Sequence, residues 1–383
     1  MKNNLSRREF IQGLSVAAAG FYFAPSGLLA SAAPTAPVAV ARCTAYGPEV
    51  LTTLAGMFDQ LGGLAKLVKG KTVAVKLNLT GSPSGFRGLS SGQTYWVHPQ
   101  VAGALVHLLG KAGARRIRLL ESPTGSPIRT LQEHVLAAKW QPADFTSAAS
   151  GVEFENTNYP GSSQQYARLT VPGGGLVFKA YDVNRAYEDC DVFVSLAKLK
   201  EHGTAGVTLS MKNCFGIPPC TIYGDGAGLD ESSTVVRGAR LMLHTGYRQP
   251  PKSAMAELDP RSPRAQGYRV PRVTVDVVAA RPIHLAVIDG IETVAGGEGP
   301  WIKKLRPVRP GLLVAGTNCV TTDAVATALM GFDPTADHGT APFESCDSTL
   351  RLAEQLGIGT CNLKRIEVLG LPIEKARVNF RSA

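Results

Sequence analysis

Five side chains able to move protons or grip anions fall close together: Lys198, Lys200, His202, Lys212 and Asn213. They lie in Lys198-Leu199-Lys200-Glu201-His202 and Thr208-Leu209-Ser210-Met211-Lys212-Asn213-Cys214-Phe215-Gly216, after an apolar run at 192–196. A lysine held partly out of water has its charged form disfavoured and can act as a base. Clustered lysines more often bind a carboxylate or phosphate. A solvated basic loop would carry the same lysines, but the apolar residues throughout this stretch argue against free solvent. Lys200 and Lys212 are therefore candidate catalytic groups, with His202 as proton-transfer partner. Lys198 and Asn213 are candidate substrate contacts. So are Lys76 and Asn78, which close a second apolar run, and His98, which precedes Pro99. Asp289 and Glu298 sit among glycines that permit close backbone approach to a ligand. With Asp323 they could orient the lysines or hold a hard cation. Turn and helix capping is the plain alternative, for Asp323 above all.

These residues act together only if their segments converge. Each proposed group follows a short apolar run, and a parallel sheet gathers its ligands just past the carboxyl ends of its strands. The spacing predicts strands at 38–41, 72–79, 116–121, 192–196, 284–289, 311–316 and 365–369, and helices at 49–68, 99–112, 273–280, 322–330 and 348–356. This alternation predicts a doubly wound α/β fold: a mostly parallel sheet with helices on both faces. Residues 141–175 and 217–270 read as irregular insertions over the strand carboxyl ends. The first suggests a small hairpin turning at Gly173-Gly174-Gly175, the second a single helix near 234–243.

Hydrophobic residues make up 44% of the chain and charged residues 18%, ordinary for a globular protein. The seven cysteines include no C-x-x-C and no ferredoxin-type run, so no iron–sulfur motif, haem attachment or zinc ribbon is encoded. Cys214 and Cys220 could pair or remain buried thiols. There is no P-loop, no G-x-S-x-G elbow and no H-E-x-x-H. The cofactor is left unknown, with a metal ion at the carboxylates as one option.

Ser6-Arg7-Arg8-Glu9-Phe10-Ile11, a mild apolar run at 13–23 and Ala30-Ser31-Ala32 together look like a twin-arginine export signal. The apolar run is too short for a stable membrane span. The expectation is a signal at 1–32, a single α/β domain at 33–383, passage through the twin-arginine translocase, and a periplasmic or other extracytoplasmic location with no membrane span after cleavage. Lys2, Arg7 and Arg8 leave with the signal against Glu9, so the formal +10 becomes +8. A basic balance suits nucleic acid, anionic membranes or acidic small molecules. Export disfavours nucleic acid and leaves a small anionic ligand.

Val75-Lys76-Leu77-Asn78, His98-Pro99, Leu199-Lys200, the Leu209-to-Gly216 segment, Ile288-Asp289-Gly290 with Gly299-Pro300, and Thr322-Asp323-Ala324-Val325-Ala326 occur in that order. Together they resemble the domain of unknown function 362 family (DUF362), across about 38–370. The resemblance implies an α/β fold and a shared pocket and supplies no reaction. Many such proteins carry a ferredoxin module; this chain has no such cysteine run. The expectation is an exported enzyme acting on a small carboxylate or phosphate in a lysine-rich pocket. A non-catalytic periplasmic binding protein, or a redox accessory protein holding a metal or cluster, are the other readings.

Overall fold

The computed structural model describes residues 32–124 and 129–381. The export signal read at 1–32 lies outside them, Ala32 apart. Fourteen strands occur among the described residues. The first four are β1 Val38–Arg42, β2 Thr72–Lys76, β3 Arg116–Glu121 and β4 Val152–Asn156. A hairpin of β5 Ala167–Thr170 and β6 Ala180–Val183 precedes β7 Val192–Lys198. The ribbon of β8 Glu201–His202 and β9 Gly206–Val207 follows, then β10 Leu285–Gly290. The last strands are the ribbon of β11 Thr293–Ala295 and β12 Arg306–Val308, then β13 Leu312–Gly316 and β14 Val368–Gly370.

Eight strands form one sheet in the order β14-β1-β13-β10-β7-β2-β3-β4. From β10 to β4 every neighbouring pair is parallel. Only β13 runs against its neighbours, β10 and β1. Side-chain alternation then builds two cores. Val192, Val194 and Leu196 of β7 pack with Val50, Leu54 and Val101 from helices Glu49–Gln60 and Pro99–Lys111. Phe193 and Ala197 face the other way, among Val273, Val277 and Val325 of helices Gln266–Ala280 and Cys319–Leu329. The fold is therefore doubly wound α/β. No helix among the described residues is long and apolar enough to cross a membrane.

Several local expectations change. The helix read at 49–68 breaks into Glu49–Gln60 and Ala65–Val68 because Gly62 and Gly63 take positive φ. The helix read from 273 starts at Gln266 and runs through Pro271. Helix Cys319–Leu329 starts three residues before the expected 322, capped by Asn318, so Asp323 lies inside it. The segment 141–175 is not simply an insertion. It supplies helix Pro142–Ala148 and β4, the edge strand of the main sheet. Gly173 to Gly175 do turn between the antiparallel strands β5 and β6. In 217–270 the only helices are Cys220–Tyr223, Leu241–His244 and the start of Gln266–Ala280. All seven cysteines are buried free thiols, Cys214 and Cys220 included.

Candidate functional site

The carboxyl ends of β2, β3, β7 and β10 share one rim, and their charged residues divide into two buried pairs. On β7 and β10, Lys198 and Asp289 are register partners, with Nζ 2.9 Å from Oδ2. Lys198 spends its other donors on the Gly92 carbonyl and the Tyr46 hydroxyl. Asp289 also accepts from the His98 and Ile291 backbone N–H groups and from Tyr46. The His98 ring stacks on Tyr46 at 3.6 Å and caps helix Pro99–Lys111 through Nδ1. The Lys198 and Asp289 side chains are both wholly buried.

The second pair, Lys76 on β2 and Glu121 on β3, lies 2.6 Å apart and faces open space. Lys76 also donates to the Leu77 carbonyl and to Asn213 Oδ1. Glu121 accepts from the Leu79 and Ser122 N–H groups, so both ions are fully engaged. Gly216 makes room for them: a Cβ there would lie 3.0 Å from Lys76 Nζ. Above the pair is a cavity of about 340 Å³. Segment 208–216 forms one wall. It enters helix Leu209–Asn213 through Leu209, whose φ of 43° is strained for a β-carbon residue. Asp323 clamps this entry by accepting from the Ser210 and Met211 N–H groups and the Ser210 hydroxyl. Asn213 ties the segment's end to Lys76, Ser195 and Leu196.

Lys212 projects from this wall with Nζ 4.2 Å from the Phe215 ring centre, and among the described residues that Nζ has no ion-pair or hydrogen-bond partner. Burial brings its pKa down to about 7; Arg240 and Lys76 add to that, and Glu298 opposes it. Arg240, brought by segment 217–270, donates only to the Pro218, Ser122 and Gly216 carbonyls and the Ser122 hydroxyl. Its Nη1 has no partner among the described residues. Glu298 accepts from Trp301 Nε1 and the Gly203 N–H. Among the described residues, the lining thus holds Lys76, Lys212 and Arg240 against two carboxylates, Glu121 and Glu298.

Two histidines on the lining carry opposite tautomers. His202 Nδ1 accepts from the Thr204 N–H, which places the ring proton on Nε2. His244 Nδ1 donates to the Arg240 carbonyl at 2.8 Å, leaving Nε2 as an acceptor. Burial and the nearby cations hold both rings neutral, His244 down at about 4 and His202 well below its ordinary range. Burial likewise brings His98 to about 4. In an imidazole NMR titration from pH 8 to 5, His98 and His244 should not charge; a midpoint near 6.5 for either would contradict this environment. Unfolded histidines charge near 6.5, so these two rings withdraw stability as pH falls from 6.5 to 4. Asp323, raised by burial to about 7, acts with the opposite sign between 7 and 3.8.

Of the residues expected from sequence, the structure brings Lys76, Asn78, His202, Lys212, Asn213 and Glu298 to the cavity. Asn78 Oδ1 is buried there with no partner among the described residues. Lys198, His98 and Asp289 are instead engaged with one another and with Tyr46, and they do not line this cavity. Lys200 does not line the cavity either. Its Nζ is spent on the Tyr95 and Glu298 carbonyls, although burial brings it to about 7. Asp323 positions segment 208–216. Asp289, Glu298 and Asp323 thus serve separate partners, and among the described residues no group of three or more His, Cys, Asp or Glu is placed to hold a metal ion. Arg240, His244 and Trp301 complete the lining without having been expected. Segment 217–270 does cover the rim, as its irregular composition suggested. Segment 141–175 contributes nothing to the lining; it buttresses through Asn158 and Tyr166, which bond Cys220 and Thr221.

Comparison with known proteins places this geometry in a family. The thylakoid-associated protein sll1697 of Synechocystis sp. is 24% identical over 300 residues, 78% of this chain and 75% of that protein. Among solved structures, a Thermotoga maritima structural-genomics protein matches at 15% identity and TM-score 0.34, over 68% of this chain. The lactate racemase apoprotein of Thermoanaerobacterium thermosaccharolyticum matches at 10% and 0.33, over 71%. The chain spans about half the length of each, 54%. The model of the domain of unknown function DUF362 matches residues 73–328, which take in all but the first residue of β2, the lysine-bearing segments and all but the last residue of helix Cys319–Leu329. This protein belongs to the DUF362 family.

Proposed function

We propose that the chain is an enzyme acting on a small carboxylate or phosphate in the cavity above Lys76 and Glu121. One observation carries the reading. Lys212 and Arg240 face the same partly dry space, and neither has a carboxylate within ion-pair distance among the described residues. Burying such cations is unfavourable unless something compensates them, and a bound anion does so. The His202 donor and the His244 acceptor beside them add the means to move protons, which a mere binding site does not need. An anion that binds only the folded state raises stability by mass action, by about 2.7 kcal/mol at 100 times its dissociation constant. Thermal unfolding with phosphate and a set of small carboxylates should therefore show stabilisation beyond chloride at matched ionic strength. Equal behaviour of all salts would mean simple screening and would sink the reading.

The same proposal includes export. Residues 1–32 would act as the twin-arginine signal and 33–383 as the working domain. The paired arginines are what separate this leader from a general secretory one. Arg7→Lys with Arg8→Lys should leave the precursor in the cytoplasm, as read by fractionation. Normal export of that variant would remove the twin-arginine assignment.

A further inference from the structure

One amine on the cavity lining has no hydrogen-bond or ion-pair partner among the described residues. Lys76 has its donors spent on Glu121, Leu77 and Asn213, and Lys200 on two carbonyls. Lys212 has only the face of Phe215. That ring also meets His244 edge to face, with centres 4.8 Å apart, so amine and imidazole share one aromatic neighbour. We infer that Lys212 is a covalent catalytic residue whose amine condenses with the carbonyl carbon of a 2-oxo acid, while Arg240 holds the carboxylate.

The inference rests on the anion-pocket reading and names its substrate class. In the first step the Lys212 nitrogen lone pair forms a C–N bond as the carbonyl π pair moves to oxygen. The His202 Nε2–H donates a hydrogen bond to the developing alkoxide and keeps its proton. One amine proton passes to His244 Nε2 and from there to the alkoxide, giving the carbinolamine. The second nitrogen-bound proton follows the same route to the departing hydroxyl, so water leaves, the imine remains and both histidines end neutral, with nothing oxidised or reduced. A neutral amine is required at the start. Burial, Arg240 and Lys76 keep Lys212 at about 7, while Glu298, the one carboxylate acting against them, lies beyond ion-pair distance. His202 and His244, also facing Lys212, remain neutral and add no charge.

The test uses the full chain with pyruvate, glyoxylate or 2-oxoglutarate and borohydride, read by intact mass and peptide mapping. A single reduced adduct should appear on the Lys212 peptide, about tenfold or more above any other lysine, because ordinary lysines are almost fully protonated at neutral pH. Lys212→Arg keeps the cation. It should keep the stabilisation by lactate and phosphate, which also reports that it is folded, and lose the adduct. No adduct with any of the three acids, labelling spread over surface lysines, or an adduct persisting in Lys212→Arg overturns the inference. If anions stabilise the wild type and no adduct forms, only this inference falls. If anions give no stabilisation, the anion-pocket reading falls with it.

Discussion

Asp289→Ala should destabilise the protein by about 3–5 kcal/mol, because it leaves the Lys198 cation buried without its partner. Both side chains are wholly buried. The substitution also strips acceptors from Tyr46 and from the His98 and Ile291 N–H groups. The loss is read from urea unfolding. Removing both charges in Lys198→Met with Asp289→Asn should recover most of it, since the cost lies in the orphaned ion more than in the lost attraction. A loss below about 1 kcal/mol for Asp289→Ala would mean that water screens the pair, as at exposed sites. It would also reopen Lys198 and Asp289 as ligand-binding residues.

Lys212→Met should do the reverse: stabilise the ligand-free protein, by on the order of 2 kcal/mol at pH 7, while abolishing most of its response to anions. The folded-state pKa of about 7 lies below the ordinary 10.5. Charging Lys212 therefore costs stability fully below pH 7, and the deficit fades as pH rises from 7 to 10.5. The gain from methionine, which keeps the stem's packing, should shrink over that window. A stabilising substitution that removes ligand response marks a residue kept for function. Equal stability of the two proteins at pH 6, with an intact anion response, would make Lys212 an ordinary surface lysine.

The strand endings were legible because apolar runs of strand length stop at Lys76, Glu121, Lys198 and Asp289. Their division into two pairs was not. It depends on β2 lying beside β3 and β7 beside β10, an order that no local pattern encodes. It also depends on register, which sets Asp289 opposite Lys198. Arg240 and His244 carry no sequence signal because they ride on the four-residue helix Leu241–His244 and its entry, too short for any periodicity. Strand β4 did carry a signal: Val152 and Phe154 alternate with Glu153 and Glu155, as an edge strand should. Asp323 lies inside its helix rather than at the start because Asn318 is the cap, and the Ser210 that it holds lies 113 positions away in sequence, beyond any local pattern.

An anion site between Lys212 and Arg240 underlies both the binding and the chemistry proposed for this cavity. It is tested most directly by the anomalous density of crystals grown in selenate, which shares the charge and shape of phosphate. One dominant peak should lie inside the cavity, in contact with Lys212 Nζ and the free Nη1 of Arg240. Selenate found only at surface lysines, with that cavity bare at saturating concentration, would contradict it.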